Sequence, residues 1–267
     1  MIVATTVAIG GMGLVCGVAL AMAARFLAVH EDPRVEELTE ILPGANCGGC
    51  GFAGCGEYAK AIIVDGAEVT LCAPGGAEIL DNIAAFMGVE AEAGEKHVAI
   101  VLCGGDNAKA PRRFDYNGVA DCNAAHAVDG GDKKCNHGCL GYGSCARACP
   151  VEAIEITGTG IAVVHPELCI GCRKCVKTCP RFIIEMVPES QATHVFCSSK
   201  DKGPIVKKAC QVGCIGCRLC VKFGGESFEM DGFLARRNYE TPIEDEDTVI
   251  DKCPGDCIVR QEKSAAG

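Results

Sequence analysis

The most informative residues of this chain are its cysteines, 22 among 267 residues. One stretch arranges four of them as C-x2-C-x2-C-x3-C-P, from Cys169 to Pro180. With this spacing three thiolates hold one [4Fe–4S] cluster, and the fourth, before the proline, ligates a neighbouring cluster. The chemistry that the spacing predicts is electron transfer.

A second, imperfect copy of this run lies upstream, from Cys135 to Pro150, with Tyr142 where a middle cysteine would stand. Cys135 is placed to supply the missing thiolate. Two such runs exchange their last ligands in bacterial two-cluster ferredoxins, so we predict two clusters here. The predicted ligands are Cys135, Cys139, Cys145 and Cys179 for cluster 2, and Cys149, Cys169, Cys172 and Cys175 for cluster 3.

A third group of cysteines lies nearer the N-terminus, in a glycine-rich segment. Glycines allow the backbone to wrap an inorganic core and to point N–H groups at its anionic sulfurs. Cys55 is the first residue of a predicted helix that includes Tyr58. The positive end of this helix dipole favours a negatively charged cluster. The cysteines predicted to hold cluster 1 are Cys47, Cys50, Cys55 and Cys72.

An internal repeat predicts a fourth cluster near the C-terminus. Residues 135–150 align without gaps with residues 210–225, and Cys217 of the second copy stands where Tyr142 stands in the first. Gly224 replaces the cysteine that would serve a partner cluster, so this copy is predicted to hold one cluster. Its predicted ligands are Cys214, Cys217, Cys220 and Cys253, with Cys210 or Cys257 as alternatives to Cys253.

The four predicted clusters use sixteen cysteines, and we predict no fifth cluster. The remaining cysteines are Cys16, Cys103, Cys122, Cys197, Cys210 and Cys257. A spare thiol is more often a small buried hydrophobe than a ligand, so we interpret these residues as packing residues. The six histidines fall into no ligand set.

Other uses of cysteine fit the sequence less well. Disulfide scaffolds are usually short secreted chains and do not show this spacing. Zinc sites use two C-x2-C pairs or a C-x2-C with two histidines, whereas triplets followed by Cys-Pro leave an odd thiolate. The net charge of −10 argues against a nucleic-acid partner, which requires a basic surface.

The elements that must position these cysteines begin with an apolar N-terminal segment. No residue from Ile2 to Ala24 is charged, and a helix of this length spans about 35 Å, enough for a hydrocarbon layer of roughly 30 Å. Positive charge follows at Arg25 and Arg34, which favours a cytoplasmic location for the domains behind it. We predict a single-pass anchor in the cell membrane over residues 1–29. A cleaved signal peptide is the alternative, but no basic residue precedes the apolar run.

The predicted fold class is α+β, with a single N-terminal transmembrane helix followed by small cluster domains. Only 5% of the residues are aromatic, and in small domains bound metal replaces the burial that a large core would provide. Residues 153–157 and 161–164 alternate around a glycine turn and predict a β-hairpin. The predicted divisions are an anchor (1–29), a 4Fe-4S domain (30–92), a ferredoxin-like domain with two clusters (93–190) and a degenerate ferredoxin-like module with one (191–267).

The order of these parts resembles a known family. The chain looks like the B subunit of Rnf electron-transport complexes, in its longer polyferredoxin-type form. The shared order is a membrane helix, a glycine-rich four-iron domain with C-x2-C-x4-C-x16-C spacing from Cys47 to Cys72, and a ferredoxin domain. The resemblance extends over the whole chain. The C-terminal copy departs from it, because Gly224 and a shortened tail leave one cluster where the family pattern holds two.

The resemblance implies an iron–sulfur electron-transfer subunit of an ion-translocating oxidoreductase. Reduced ferredoxin is then the electron donor, and other subunits of the membrane complex receive the electrons. The sequence contains no dinucleotide-binding βαβ motif and no acid, base or nucleophile set, so catalytic residues and nucleotide cofactors belong to partners. The alternative function is a membrane-tethered polyferredoxin that feeds an unrelated reductase or reduces a redox sensor.

Basic residues lie near the last cysteine groups. Two interpretations are open: these residues steer the docking of ferredoxin, which is typically acidic, or they are ordinary solvated charges in loops. They are Lys133, Lys134, Lys200, Lys202, Lys207 and Lys208.

Overall fold

The computed structural model describes residues 2–26, 32–92 and 94–261, without the side chains of residues 2–8, 24 and 26. The chain begins with helix α1 (Ile2–Phe26). Within this described part of the chain, no helix has the combined length and apolar content needed to cross a membrane. The anchor over residues 1–29 therefore stays a prediction, and residues 1 and 27–29 lie outside the described residues.

The domain that follows α1 is helical. Its first helix begins after Asp32, whose carboxylate accepts the Arg34 N–H at 3.0 Å and so satisfies a free donor of the helix terminus. Leu38 of this helix is fully buried and belongs to one core with Tyr58 and Ile83. The elements are α2 (Pro33–Ile41), α3 (Cys55–Lys60), its π-helical continuation (Ala61–Asp65), two 3-10 turns (Val69–Leu71, Ala73–Gly75) and α4 (Gly76–Met87).

The next part is a ferredoxin-like module with two antiparallel strand pairs. Strand β1 (His97–Val101) pairs with β4 (Ile184–Pro188), and the hairpin β2 (Ile154–Ile156) with β3 (Ala162–Val164) lies between them in sequence. The second pair confirms the predicted hairpin. The helices are α5 (Cys122–Ala127), α6 (Ser144–Ala148) and α7 (Lys174–Thr178).

The last part repeats this arrangement, as the internal repeat predicts. Strand β5 (Thr193–Val195) pairs with β8 (Ile258–Arg260), and the hairpin β6 (Phe228–Asp231) with β7 (Leu234–Arg237) lies between them in sequence. Mixed helices and strands agree with the predicted α+β class. The remaining elements are α8 (Gly203–Ala209), α9 (Leu219–Gly224), a 3-10 turn (Gly225–Ser227) and α10 (Glu246–Asp251).

The three ferredoxin-type runs share one turn, formed by a glycine two residues after Cys139, Cys169 or Cys214. Gly141, Gly171 and Gly216 have φ of 79°, 70° and 71°, a left-handed backbone that favours glycine. At Gly141 space is also limiting, because a Cβ would lie 2.3 Å from the Gly160 carbonyl oxygen. The shared turn lets three different sequences present their cysteines alike.

We expect Gly141→Ala to destabilise the first module by roughly 2 kcal/mol or more, since it adds both a strained φ and a clash with backbone. The measurement is chemical denaturation of each variant, monitored by the iron that stays bound to the protein. Gly158→Ala is the matched control, because nothing lies within 4 Å of a Cβ at Gly158. Equal stability of the two variants would show that this turn is not required.

Candidate iron–sulfur sites

Within the part of the chain that the structure describes, cysteines line four cavities of nearly equal size. In chain order their empty volumes are 310, 340, 320 and 320 Å3, and their walls are otherwise mostly apolar. We number them cavities 1 to 4. Similar size and similar lining indicate the same kind of occupant in each. Among the described residues, no group of three or more His, Cys, Asp or Glu side chains converges closely enough to hold a single metal ion.

Cavity 1 lies in the helical domain. The Asn46 side chain accepts the Cys55 N–H at 2.8 Å and fixes the start of α3. The Tyr58 hydroxyl donates to the Glu68 carbonyl at 2.7 Å and accepts the Leu71 N–H at 3.2 Å, which holds the following segment against α3. All four cysteines predicted for cluster 1 line this cavity: Cys47, Cys50, Cys55 and Cys72.

Cavity 3 lies between the two runs of the first module. Its lining includes all four cysteines predicted for cluster 3: Cys149, Cys169, Cys172 and Cys175. The Ala99 N–H of β1 donates to the Cys169 sulfur at 3.4 Å, and the Ala153 N–H donates to Cys149 at 3.3 Å. Cys149 comes from the first run and the others from the second, as the predicted ligand exchange requires.

Cavities 1 and 3 meet through their cysteine loops. Lys177 of α7 donates from Nζ to the Gly48 carbonyl at 3.2 Å. A Cβ on Gly49 would lie only 3.3 Å from the Cys172 carbonyl oxygen, so glycine permits this close approach. Burial raises the pKa of Cys172, and the charge of Cys47 raises it further. Occupants of the two cavities would therefore be neighbours.

Cavity 2 differs from the prediction by one cysteine. Its lining includes Cys122, Cys139, Cys145 and Cys179, and it does not include Cys135. Burial raises the pKa of Cys145 to about 12, and the three thiols that raise it further are Cys139, Cys122 and Cys179. Cys122, which the sequence analysis treated as a packing residue, thus takes the place predicted for Cys135.

The position of Cys122 follows from the cap of α5. Asp121 caps this helix by accepting the Asn123 N–H at 2.8 Å, and the Cys122 N–H donates to the Ser144 hydroxyl at 2.7 Å. Ser144 in turn donates to Asp121 at 2.6 Å, which ties α5 to the run beside it. Tyr142 shows that the run lacks its middle cysteine, but the spacing of the sequence does not identify Cys122 as the replacement.

Cavity 4 lies in the second module and has five cysteines in its lining: Cys214, Cys217, Cys220, Cys253 and Cys257. Asp256, three residues after Cys253, has a φ of 46°, close to the 53° of Glu152 and the 52° of Phe182, which follow the other two Cys-Pro pairs at the same distance. Cys253 therefore adopts the turn of the earlier ligand positions. This similarity favours Cys253 over Cys257 as the fourth ligand.

Cys257 has a different relation to cavity 4. Its sulfur lies 3.7 Å from that of Cys253. Hydrogen bonding by the Cys257 thiol lowers the pKa of Cys214 to about 6 and that of Cys253 to about 5, while the same bonds raise the pKa of Cys257 itself. Cys257 thus interacts with two cysteines of the predicted ligand set, Cys214 and Cys253.

The apolar walls of the cavities disfavour free thiolates, so these thiolates require an occupant that binds them. Burial raises the pKa of Cys175 to about 12 and that of Cys220 to about 11, because an apolar surrounding disfavours the thiolate. Iron bonded to sulfur compensates this penalty. Backbone donors assist: the Gly49 N–H donates to Cys47 at 3.4 Å and the Ala235 N–H to Cys214 at 3.3 Å. The residues present therefore fit iron–sulfur clusters.

Comparison with known proteins agrees with these sites. Residues 42–74 match a family model described as a putative Fe-S cluster, and residues 134–183 match one described as a 4Fe-4S dicluster domain. The second match shows that the chain carries a [4Fe–4S]-type domain.

Three curated relatives, each the B subunit of its complex, are similar over most of the chain. The relative from the Na(+)-translocating ferredoxin:NAD(+) oxidoreductase complex of Acetobacterium woodii is 42% identical over 94% of this chain and 75% of its own length. The relative from the ion-translocating oxidoreductase complex of Methanosarcina acetivorans is 39% identical, with 80% and 81% covered. The proton-translocating counterpart of Clostridium ljungdahlii is 37% identical, with 76% and 72% covered. The chain therefore belongs to the B-subunit family of Rnf-type ion-translocating oxidoreductase complexes.

Proposed function

We propose that this chain is the iron–sulfur electron-transfer subunit of an ion-translocating oxidoreductase complex. It takes electrons from reduced ferredoxin and relays them to partner subunits. The observation that carries the proposal is the series of four similar cysteine-lined cavities within one chain. The names of the relatives, two of which specify ferredoxin:NAD(+) oxidoreductase, support the choice of donor.

Each cavity is proposed to hold one [4Fe–4S] cluster. When bound, such a cluster supplies a one-electron carrier whose potential depends on burial and on hydrogen bonds to its sulfurs. The protein contributes the thiolates, the backbone N–H donors and walls that exclude water. The proposed ligands are Cys47, Cys50, Cys55 and Cys72; Cys122, Cys139, Cys145 and Cys179; Cys149, Cys169, Cys172 and Cys175; and Cys214, Cys217, Cys220 and Cys253.

The complex itself provides the test of this function. Membranes that contain the full complex should oxidise reduced ferredoxin, and Cys172→Ala should abolish that activity because Cys172 lines cavity 3 at its junction with cavity 1. Affinity purification of the chain should recover the polytopic membrane subunits. Recovery of an unrelated soluble reductase in their place would favour the membrane-tethered polyferredoxin.

Ferredoxin is proposed to dock at the basic surface of α8. Lys207 and Lys208 are exposed, whereas Lys133 is 1% exposed and therefore unsuited to docking. Lys200 is paired with Asp231 at 3.0 Å, which reduces its contribution. An acidic partner is then attracted mainly by α8.

The rate at which reduced ferredoxin transfers electrons should fall steeply as the salt concentration rises, because screening shortens the reach of the α8 charges. The double variant Lys207→Gln/Lys208→Gln should be slower at low salt and less dependent on salt. Lys96→Gln is the control and should behave like the natural chain, because Lys96 precedes β1 and does not belong to α8. A flat salt dependence in the natural chain would exclude docking by charge.

We further propose that α1 anchors the chain in the cell membrane, with the cluster domains on the cytoplasmic side. The helix contains 25 residues. Among its described side chains Ile9, Leu14 and Leu20 are about 70% exposed, and an apolar surface of this kind is typical of contact with lipid.

Deletion of residues 2–26 should move the chain, expressed without its partner subunits, from the membrane fraction to the soluble fraction. The reason is the loss of the apolar helix surface that favours lipid. The measurement is ultracentrifugation followed by quantitation of the chain in both fractions. The cluster spectrum of the deleted chain is the control for folding. A full-length chain that stays in the soluble fraction would rule out the anchor.

A further inference from the structure

Cysteines outside the four cavities come together where the two modules meet. Cys103 and Cys210 place their sulfurs 3.9 and 3.0 Å from the position that a Cβ on Gly105 would occupy. Cys103 and Cys135 place theirs 3.7 and 3.6 Å from the corresponding position on Gly138. Cys103 therefore lies between the other two thiols, beside Cys210 at Gly105 and beside Cys135 at Gly138.

Cys197 joins this group from the second module. Its sulfur lies 3.7 Å from the position that a Cβ on Gly213 would occupy, as the Cys103 sulfur does from the equivalent position on Gly138. Burial raises the pKa of Cys197 to about 12, and Cys135 is among the thiols that raise it further. The backbone explains the proximity, because the Gly104 N–H, next to Cys103, donates to the Phe196 carbonyl at 2.9 Å. The ends of the first strands of the two modules are thus hydrogen-bonded to each other.

The group consists of two equivalent pairs from the duplicated modules. Cys103 and Cys197 follow β1 and β5, and each donates its N–H to the carbonyl two residues earlier, at 2.8 and 2.9 Å. Cys135 and Cys210 each precede the first cysteine of a run by four residues. Each module thus contributes the same two thiols to one shared place, a regularity that separate packing roles do not explain.

Backbone donors point at these sulfurs as they do in the four cavities. The Cys139 N–H donates to the Cys103 sulfur at 3.3 Å, and the Ser199 N–H donates to the Cys197 sulfur at 3.5 Å. Cys197 also accepts the N–H of Cys214. Since Cys139 lines cavity 2 and Cys214 lines cavity 4, the group lies between these two cavities.

A buried cation faces the same group. Lys133 is 1% exposed and donates from Nζ to the Gly105 carbonyl at 2.6 Å. The ion pairs of the described residues include none between Lys133 and a carboxylate. Gly105 also neighbours the Cys210 sulfur, which lies 3.0 Å from the position of a Cβ on this glycine, so the ammonium and the thiol share one neighbour. A buried ammonium requires a nearby anion, and thiolates bound to a cluster would provide one.

We propose that Cys103, Cys135, Cys197 and Cys210 hold a fifth iron–sulfur cluster, shared by the two modules and located between cavities 2 and 4. To bind, Cys210 turns its sulfur away from the Val212 carbonyl oxygen, which now lies 2.7 Å from it. This proposal differs from the sequence-based prediction of four clusters. It rests on the proposed function, because a cluster here joins cavity 4 to the other three.

The test is the iron and acid-labile sulfide content of the full-length chain, purified without oxygen. Five clusters give about 20 irons per chain, whereas four give about 16. Cys197→Ala and Cys210→Ala should each lose about 4 irons, and the double variant should lose no more than either single variant, because both cysteines serve one site. Cys16→Ala in α1 is the control and should keep all its iron.

The outcomes separate this proposal from the proposed function. About 16 irons in the natural chain, with Cys197→Ala unchanged, would overturn the fifth cluster and leave the four cavities intact. If Cys50→Ala in cavity 1 lost no iron, the proposed function itself would fail. A loss of about 8 irons in the double variant Cys197→Ala/Cys210→Ala would assign the two cysteines to different sites and also overturn the fifth cluster. The iron count of the natural chain requires no variant to fold.

Discussion

Cys122→Ala should lose one whole cluster, about 4 irons per chain. Cys122 lines cavity 2 together with Cys139, Cys145 and Cys179. Without its thiolate, one iron of the occupant lacks a protein ligand, and the apolar walls offer no substitute. Transfer of electrons through the first module should fall to the level of a chain without this cluster, since cavity 2 shares its two runs with cavity 3.

The measurement is iron and sulfide analysis together with the rate of reduction of the remaining clusters. Cys16→Ala, which removes an exposed thiol of α1, is the matched control. If Cys122→Ala kept its full iron content, Cys122 would be a packing residue and cavity 2 would need another fourth ligand.

A second cluster should be lost in Cys253→Ala, whereas Cys257→Ala should keep its iron. Both cysteines line cavity 4, but Cys253 has the backbone turn of the other Cys-Pro ligands, and the Cys257 thiol is hydrogen-bonded to the Cys253 sulfur at 3.7 Å. Removing a donor to ligand sulfurs makes reduction less favourable, because the extra negative charge is less well stabilised. The reduction potential of the C-terminal cluster should therefore become more negative in Cys257→Ala.

Low-temperature EPR during a redox titration measures both effects in one preparation. Cys253→Ala should lack the signal of the C-terminal cluster, and Cys257→Ala should retain it at a lower potential. The reverse pattern, with iron lost only in Cys257→Ala, would make Cys257 the fourth ligand. That result would also show that the common turn after Cys-Pro does not determine ligation.

The cysteines predicted for clusters 1 and 3 do line cavities 1 and 3. Spacing within a run determines most of the thiols that face one cavity, and the exchange of the cysteine before proline accounts for Cys149. The duplicated module and the hairpin of β2 and β3 were also predictable, since the repeat aligns without gaps and the strands alternate.

Tertiary contacts account for what the sequence did not predict. Cys122 reaches cavity 2 because Ser144 and Asp121 join α5 to the neighbouring run, and nothing in the local spacing indicates this contact. Cys135 is closer than Cys122 to Cys139 in sequence, but its sulfur lies beside that of Cys103. Such contacts depend on how the helices and loops pack in three dimensions, which motif spacing alone does not encode.

The most direct test of the central claim is iron and sulfide analysis of the anaerobically purified full-length chain, combined with EPR after reduction. Cysteine cavities that hold [4Fe–4S] clusters predict at least about 16 irons, an equal amount of acid-labile sulfide and the signals of reduced clusters. Colourless protein without labile sulfide would contradict cluster binding and the electron-transfer function built on it.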